Sequence, residues 1–204
     1  MKAIKLVGVV FLAFLISGAV LGWFEIRRGF SARGTPSLVE KFAAISARKL
    51  ALPYDYRQLR NPFPPSPENL QAGMEHFSDH CATCHSNDGS GDTPFGRGLY
   101  PKPPDMRRAE TQNKSDGELY YTIENGVRLS GMPAFGEEHA VGEDADTWKL
   151  VLFIRHITNL NADELQQMER LNPKTEEERQ EEEQEERFLR GESPQGQSNQ
   201  SHHH

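Results

Sequence analysis

The residues best suited to chemistry in this sequence are five in a row, Cys81-Ala82-Thr83-Cys84-His85. They read C-x-x-C-H, the pattern to which a c-type haem is attached. Two thiols at this spacing add to the two vinyl groups of a porphyrin, and the histidine that follows offers a nitrogen to the iron. Cys81 and Cys84 are the only cysteines of the chain, so no thiol remains for a disulfide. The motif therefore predicts one covalently attached haem c per chain, held by Cys81, Cys84 and His85.

Two other uses of a C-x-x-C pair fit this sequence less well. The first is half of a zinc site, but a zinc ribbon needs a second Cys/His pair at ligand spacing, and none follows. The second is a redox dithiol, which normally stands at a strand–helix junction in a βαβ pattern. The sequence shows no such pattern. The histidine directly after Cys84 favours haem attachment over both.

Four segments, taken together and in order, resemble the class I c-type cytochromes over roughly residues 67–160. They are the motif Cys81–His85, the pair Gly73 and Phe77 before it, the segment Gly131-Met132-Pro133-Ala134-Phe135, and the segment Trp148–Arg155. The resemblance implies a small all-α haem domain in which a helix bearing Gly73 closely crosses the C-terminal helix. It also implies that His85 and Met132 are the two axial ligands of the iron. With both ligands in place the resemblance implies electron transfer, and no catalytic residue is predicted in this chain.

Met132 is the methionine whose surroundings suit a ligand. A lone methionine more often fills a hydrophobic core. Met132, however, lies 47 residues after His85 and between Gly131 and Pro133, which places it in a loop. Its position therefore agrees with the sixth-ligand role that the resemblance implies. The other candidates have no comparable setting: Met74, Met106, Met168, His76, His80, His139 and His156.

Charge is unevenly distributed along the 204 residues. Residues 1–66 hold 10 basic and 3 acidic residues, residues 67–160 hold 8 and 15, and residues 161–204 hold 5 and 12. The three segments therefore carry +7, −7 and −7, which gives the total of −7. This pattern argues against a nucleic-acid partner and for a basic stem near a membrane that carries an acidic head.

The N-terminus contains an apolar run of 21 residues, from Ile4 to Phe24, in which Lys5 is the one charged residue. About 20 such residues suffice to cross a bilayer. Ser17 and Ala19 would suit the cleavage site of a secretory signal peptide, so residues 1–24 are either a membrane anchor or a signal peptide. The continuation of the run through Trp23 and Phe24 favours the anchor. Because arginines follow the run, charge gives no clean orientation, and the resemblance places the haem domain on the periplasmic or outer side.

Residues 25–66 are predicted to form a stem and a proline-rich linker. A helix of about 14 residues begins at Thr35-Pro36, or at a capping box of Ser37 and Glu40, and ends before Pro53. Three settings remain open for this helix: the membrane surface, a partner protein, or its own haem domain. Residues 61–67, Asn-Pro-Phe-Pro-Pro-Ser-Pro, are stiff and extended, and mark the boundary of the haem domain.

Caps and apolar spacing predict three helices in the haem domain. The first runs from Pro67 to about residue 81, the second from Ser115 to Asn125, and the third over residues 144–160. In the third, the apolar face is formed by Trp148, Val151, Leu152 and Ile154. Residues 86–105 are rich in glycine and proline and are predicted to form a loop. Its proline segment, residues 101–105, resembles the one whose carbonyl orients the axial histidine; which proline provides that carbonyl stays open.

Residues 161–204 are predicted to be an acidic tail, partly helical or disordered. A short helix from about Ala162 ends at Asn172-Pro173. Residues 174–190 then hold eight glutamates and four basic residues, several at i, i+4 spacing, which is typical of a solvated single helix or of disorder. Residues 191–201 are of low complexity, and no metal role is assigned to His202–His204.

These observations predict a membrane-anchored, mono-haem electron-transfer protein. Its partners are an electron donor and an acceptor, the membrane through the N-terminal helix, and further subunits if it belongs to a larger complex. It is either a tethered carrier or the haem subunit of a respiratory or related complex, with a periplasmic dehydrogenase as an alternative. An enzyme or gas sensor with an open iron position is the third class, and Met132 argues against it.

Overall fold

Helices are the only regular elements in the part of the chain that the computed structural model describes, residues 2–29, 31–136 and 140–190. The all-α class predicted from the sequence is therefore confirmed. A π-helical turn spans Phe77–Cys81, and a 3-10 turn spans Ile157–Asn159. The α-helices are α1 (Lys2–Arg28), α2 (Leu38–Ala51), α3 (Tyr54–Gln58), α4 (Pro67–His76), α5 (Ala82–His85), α6 (Pro94–Arg97), α7 (Ala109–Gln112), α8 (Asp116–Asn125), α9 (Ala145–His156), α10 (Ala162–Leu171) and α11 (Glu176–Leu189).

The close crossing of α4 and α9 forms the centre of the haem domain. Ser66 caps α4 by accepting a hydrogen bond from the backbone of Asn69, and Pro67 occupies the first turn, as its fixed φ favours. Gly73 lies at the crossing, where a Cβ would stand 2.3 Å from the carbonyl oxygen of Lys149. The rings of Phe77 and Phe153 pack beside it with centroids 5.1 Å apart. A residue without a side chain is therefore needed at position 73.

Helix α8 is fixed at its N-terminus and at its middle. Its N-terminus has a full capping box, in which Ser115 and Glu118 bond each other's backbone amides. Further along, the ring of Tyr120 packs on that of Trp148 with centroids 4.3 Å apart, and its hydroxyl accepts a hydrogen bond from the amide of Asp144, the N-cap of α9. The middle of α8 is thereby held against α9, and the loop that contains Met132 follows the end of α8 at Asn125.

The stem contacts the haem domain. The carbonyl oxygen of Tyr56 would lie 1.9 Å from a Cβ at Gly117, so α3 and α8 touch through their backbones. The Tyr56 hydroxyl donates to the buried carboxylate of Glu124 at 2.6 Å, and Asn61 donates to the carbonyl of Trp148 at 2.9 Å. Side chains of this stretch also pack against the core: Tyr56, Leu59 and Phe63. The sequence did not indicate α3, which is only five residues long.

Several sequence predictions are confirmed and one needs correction. Helix α2 has the expected 14 residues, and its N-cap is Ser37, which accepts from the amide of Glu40. The predicted tail helices are present as α10 and α11, and His156 pairs with Glu164 at 2.8 Å to tie α10 to α9. Residues 86–105, predicted to be all loop, contain the short helix α6, because Thr93 caps it and Pro94 begins it. His139 and residues 191–204 lie outside the described residues.

Helix α1 is long and apolar enough to cross a membrane. The stretch Ile4–Arg27 has 24 residues, and an 18-residue window within it has a mean hydropathy of 2.5 and is not buried against the rest of the protein. A signal sequence near the N-terminus meets the same criteria of length and composition.

Candidate functional site

The C-x-x-C-H motif lies where the π-helical turn passes into α5. His85 is 8% exposed, and neither of its ring nitrogens is hydrogen-bonded within the described residues; Nδ1 is fully buried. Burial lowers the pKa of His85 to about 4, because the low-polarity surroundings disfavour the charged ring. The imidazole is therefore neutral at pH 7, and its nitrogen lone pair is available to a metal.

The two cysteine side chains are protonated thiols rather than thiolates. Burial, with a smaller contribution from Cys84, raises the pKa of Cys81 to about 12, and burial also raises that of Cys84. The two are not joined in a disulfide. A redox dithiol needs a thiol pKa lowered by its surroundings, and these surroundings do the opposite. Among the described residues, no cluster of three or more His, Cys, Asp and Glu side chains is arranged to hold a metal ion. Neither the dithiol nor the zinc alternative is supported.

The loop after His85 folds back onto the motif. The amide of Gly91 donates to the carbonyl of His85 at 2.8 Å, and the Thr93 hydroxyl donates to the carbonyl of Thr83 at 2.8 Å. The same hydroxyl caps α6 by accepting from the amide of Gly96. The last turn of the haem motif, whose carbonyls would otherwise be unpaired, is thereby closed.

The proline segment packs against the first part of this loop. The carbonyl oxygen of Pro103 would stand 2.8 Å from a Cβ at Gly91, which is the residue bonded to His85. The amide of Met106 donates to the carbonyl of Gly89 at 2.8 Å, and Arg107 bridges Asp88 and Asp105. Two contacts and an ion-pair bridge therefore hold residues 103–107 next to the loop that leaves His85.

The Met132 segment is held by backbone hydrogen bonds at both ends. The carbonyl of Met132 accepts from the amide of Val127 at 3.1 Å, and its amide donates to the Ser130 hydroxyl at 3.2 Å. The amide of Phe135 then donates to the carbonyl of Ile123 in α8 at 3.1 Å. The Met132 side chain is half-buried, whereas the other methionines in the described residues are buried in the core: Met74, Met106 and Met168.

Residues on both sides of Met132 contact residues that lie next to the C-x-x-C-H motif in the sequence or in the loop after it. On one side, a Cβ at Gly131 would stand 2.6 Å from a methyl carbon of Leu99, in the loop that begins after His85. On the other side, the ring of Phe135 lies edge-on to that of His80, the residue directly before Cys81. The centroids of the two rings are 6.4 Å apart. Leu99 was predicted from the sequence only as an apolar residue that could cover a haem edge, and neither its contact with Gly131 nor the pairing of Phe135 with His80 was predicted. No spacing pattern identifies such contacts, since they join separate segments of the chain.

This set of donors suits a haem. It offers two protonated thiols for covalent bonds, a neutral buried imidazole without a hydrogen-bond partner, and a thioether in a loop that lies against the same segment. Nitrogen and thioether ligands are a pairing that haem iron accepts, whereas hard cations such as Mg²⁺ prefer oxygen.

Comparison with known families agrees with this assignment. Residues 68–154 match the family model described as cytochrome c oxidase, cbb3-type, subunit III. No curated protein matches the chain. The fold, the motif and this match define the protein as a haem-based electron-transfer protein. The matched residues 68–154 are thus recognised as a c-type cytochrome domain of class I, and such a domain implies covalently bound haem c.

Proposed function

We propose that Cys81 and Cys84 would hold a haem through two thioether bonds, and that His85 and Met132 would be the two residues that bind its iron. The haem supplies one-electron oxidation and reduction. The chain supplies its attachment, both axial ligands and an apolar surrounding that excludes water. Two axial ligands from the chain leave no position for a substrate, which argues against an enzyme or a gas sensor. A neutral thioether also favours reduced iron and raises the reduction potential.

The observation that carries this proposal is the pair of contacts flanking Met132. Gly131 touches Leu99, and Phe135 lies on His80. Residues on both sides of Met132 therefore contact the loop that leaves His85 and the residue before Cys81, which supports a role for Met132 beside the C-x-x-C-H motif. The backbone of Met132 is held by a hydrogen bond from the amide of Val127 and by one that its own amide donates to the Ser130 hydroxyl.

The covalent attachment is tested by removing the thiols. In a Cys81→Ala and Cys84→Ala double variant, acid–acetone extraction should remove the haem, because no thioether holds it. Each single variant should retain one bond and attach haem poorly. Haem that resists extraction from the double variant would contradict the assignment of both cysteines.

The sixth ligand is tested by replacing Met132. Met132→His supplies a nitrogen that binds oxidised iron better, so the reduction potential should fall. Met132→Ala should let carbon monoxide bind the reduced protein, and both variants should lose the weak red-edge absorption of sulfur-bound ferric haem. Met106→Leu is the matched control, since Met106 is a buried methionine next to the proline segment. If Met132→Leu kept that absorption and the parent potential, the sixth ligand would be another residue.

Membrane attachment through α1 is the second part of the proposal, with the haem domain on the periplasmic or outer side. The length and hydropathy of the stretch Ile4–Arg27 support it. Replacing residues 1–24 by a cleavable signal should release a haem-containing protein from the membrane fraction. If the parent protein is already in the soluble fraction and its N-terminus lies after residue 24, the segment is a signal peptide.

We further propose that the protein acts as the haem subunit of a larger electron-transfer complex rather than as a tethered carrier. The family model that its haem domain matches is named for a subunit of an oxidase. Helix α11, with glutamates over most of its length, has no role that a small carrier requires. The acidic haem domain favours redox partners with basic docking surfaces. Purification in mild detergent should recover partner subunits in fixed ratio; a protein that elutes alone would favour the carrier.

A further inference from the structure

The stem helix α2 presents an apolar surface to the outside of the molecule. Leu38, Val39, Phe42 and Leu50 are 86%, 78%, 74% and 82% exposed. At 100° per residue, these four side chains lie within an arc of about 120° on the helix. We call this surface the apolar arc of α2. Four large apolar side chains on one face of a helix are rarely left in contact with water without a function.

The apolar arc cannot be the face that packs on the haem domain, because another face of α2 does so. The hydroxyl of Tyr100 donates to Glu40 at 2.5 Å, and Lys41 pairs with Glu110 at 3.2 Å. Counting at the same 100° per residue, Glu40 and Lys41 lie outside the arc. The haem domain therefore fixes the orientation of α2 and turns the arc outward.

Basic side chains gather at the C-terminal end of α2. Arg48 and Lys49 lie in its last turn, and Arg57 donates to the carbonyl of Lys49 at 2.8 Å. Lys114 of the haem domain is close enough to interact with them: burial lowers its pKa, the nearby carboxylate of Glu118 raises it, and the positive charges of Arg48 and Lys49 lower it. Such a cluster of positive charge beside an apolar face suits phosphate groups at the boundary of an apolar phase. Lys49 lies within the arc itself, where a long side chain can place its charge at that boundary.

The chain keeps α2 close to the membrane-spanning candidate α1. Only nine residues, 29–37, separate the end of α1 at Arg28 from the start of α2 at Leu38. Nine extended residues reach at most about 30 Å. If α1 spans the bilayer, α2 begins within that distance of the membrane surface.

We propose that α2 lies in the headgroup region of the bilayer, with the apolar arc inserted towards the acyl chains and the cluster of Arg48, Lys49, Arg57 and Lys114 on anionic lipid phosphates. The occupant of this surface is therefore lipid, and the helix sets the orientation of the haem domain on the membrane. This inference rests on the proposed anchoring by α1 for its placement near the bilayer. A basic amphipathic helix whose docking contacts leave its apolar face outward has the properties of an interfacial helix.

The test uses the full-length haem protein, reconstituted in nanodiscs of phosphatidylcholine with phosphatidylglycerol. A nitroxide label is placed at Phe42→Cys, inside the arc, or at Ala47→Cys, an exposed position about 180° from Leu38 on the same helix. A third position, Phe14→Cys in α1, reports the anchor. Unmutated protein should take up no label, because its thiols are bound to haem. Collision with oxygen, which concentrates in lipid, is compared with collision with a water-soluble nickel chelate.

The expected result is a ratio of oxygen to nickel collisions several-fold higher at residue 42 than at residue 47. A high ratio at residue 14 with a low one at residue 42 would overturn the inference and leave the anchor intact. Were the mature protein to lack residues 1–24 while position 42 still reported lipid, the anchor would fail and the inference would stand. Protection of position 42 only in a complex with other subunits would mean that a protein covers the arc, which also overturns the inference.

A second arm tests the basic cluster. Arg48→Glu combined with Lys49→Glu should lower the oxygen-to-nickel ratio at residue 42 in discs with phosphatidylglycerol, and the loss should shrink in discs of phosphatidylcholine alone. Arg128→Glu, a reversal of an exposed charge on the loop before Met132, is the matched control and should leave the ratio unchanged. An equal effect of the double reversal in both lipids would overturn the assignment of the cluster to anionic phosphates.

Discussion

The crossing of α4 and α9 allows a sharp test of how the haem domain is packed, through the substitution Gly73→Ala. The new Cβ would stand 2.3 Å from the carbonyl oxygen of Lys149 and 3.0 Å from the Cβ of Phe153. Ordinary contact begins at 3.4 Å, so the helices must separate by about 1 Å at this point. The atom that obstructs the new Cβ belongs to the backbone of a helix, and it cannot turn away as a flexible side chain would.

The expected loss of stability follows from two opposing effects. Overpacking typically costs about 1–3 kcal/mol, and a clash with backbone that cannot move aside belongs in the upper part of that range, about 2–3 kcal/mol. Alanine is favoured over glycine in a helix by about 1 kcal/mol, which offsets part of that cost. A net loss of about 1–2 kcal/mol remains, and in a domain of fewer than 100 residues it should lower the melting temperature by roughly 5–15 °C.

The assay is thermal unfolding of the haem protein in detergent, followed by circular dichroism in the Soret region, which reports the haem domain and not α1. Gly34→Ala is the matched control, because a Cβ there would meet its nearest neighbour, the Ser31 carbonyl oxygen, at an ordinary 3.5 Å. An unchanged or raised melting temperature for Gly73→Ala would refute the close crossing, since the helix preference of alanine would then act unopposed.

Three further substitutions can be tested by urea unfolding of the same haem protein. Tyr56→Phe removes a hydrogen bond to the buried carboxylate of Glu124 and should lower the free energy of unfolding in urea by about 1–3 kcal/mol. A variant as stable as the parent protein would show that this hydrogen bond does not stabilise the fold. Ser115→Ala removes the cap of α8 and should cost about 1 kcal/mol, with rescue by Ser115→Asp. Hydrogen bonds from Arg107 hold the pKa of Asp105 well below its usual range, so its stabilising effect is present above about pH 4 and is lost as the pH falls towards the folded value. Asp105→Asn should therefore lower stability at pH 7 and have progressively less effect below pH 4; a loss that is constant over this range would contradict the charged contact.

Local signals in the sequence identified most of the fold correctly. Capping residues marked the starts of α2, α4 and α8, because a short polar side chain before a helix satisfies amides that lie within three residues of it. The same reasoning missed α3, since only contacts with α8 stabilise so short a helix. It also placed Leu152 on the apolar face of α9, where the structure buries Leu150 and leaves Leu152 half-exposed. A helix packed on several sides has no single apolar stripe, so spacing alone cannot rank its neighbours.

The π-helical turn before Cys81 was likewise beyond the sequence argument. The stretch Phe77–Cys81 has ordinary helical composition, and a single widened turn leaves no mark on the spacing of its apolar residues. The candidate site shows the same division. The C-x-x-C-H motif is a short continuous pattern that the sequence shows directly. The contacts on either side of Met132 instead join residues far apart in the chain: Gly131 and Leu99 are 32 positions apart, and Phe135 and His80 are 55.

The contacts between the stem and α8 bear on where a recombinant fragment should begin. A fragment starting at Pro67 keeps all four segments on which the resemblance to class I c-type cytochromes rests. It nevertheless removes the Tyr56 donor to Glu124 and the Asn61 donor to Trp148. It also exposes the backbone of α8 at Gly117, which the carbonyl oxygen of Tyr56 covers in the full chain. The carbonyl of Ile123, in the same helix, holds the Phe135 end of the Met132 segment, so loosening α8 would disturb Met132, the proposed iron ligand. A soluble fragment for crystallisation or electrochemistry should therefore start no later than Leu52, which is itself buried.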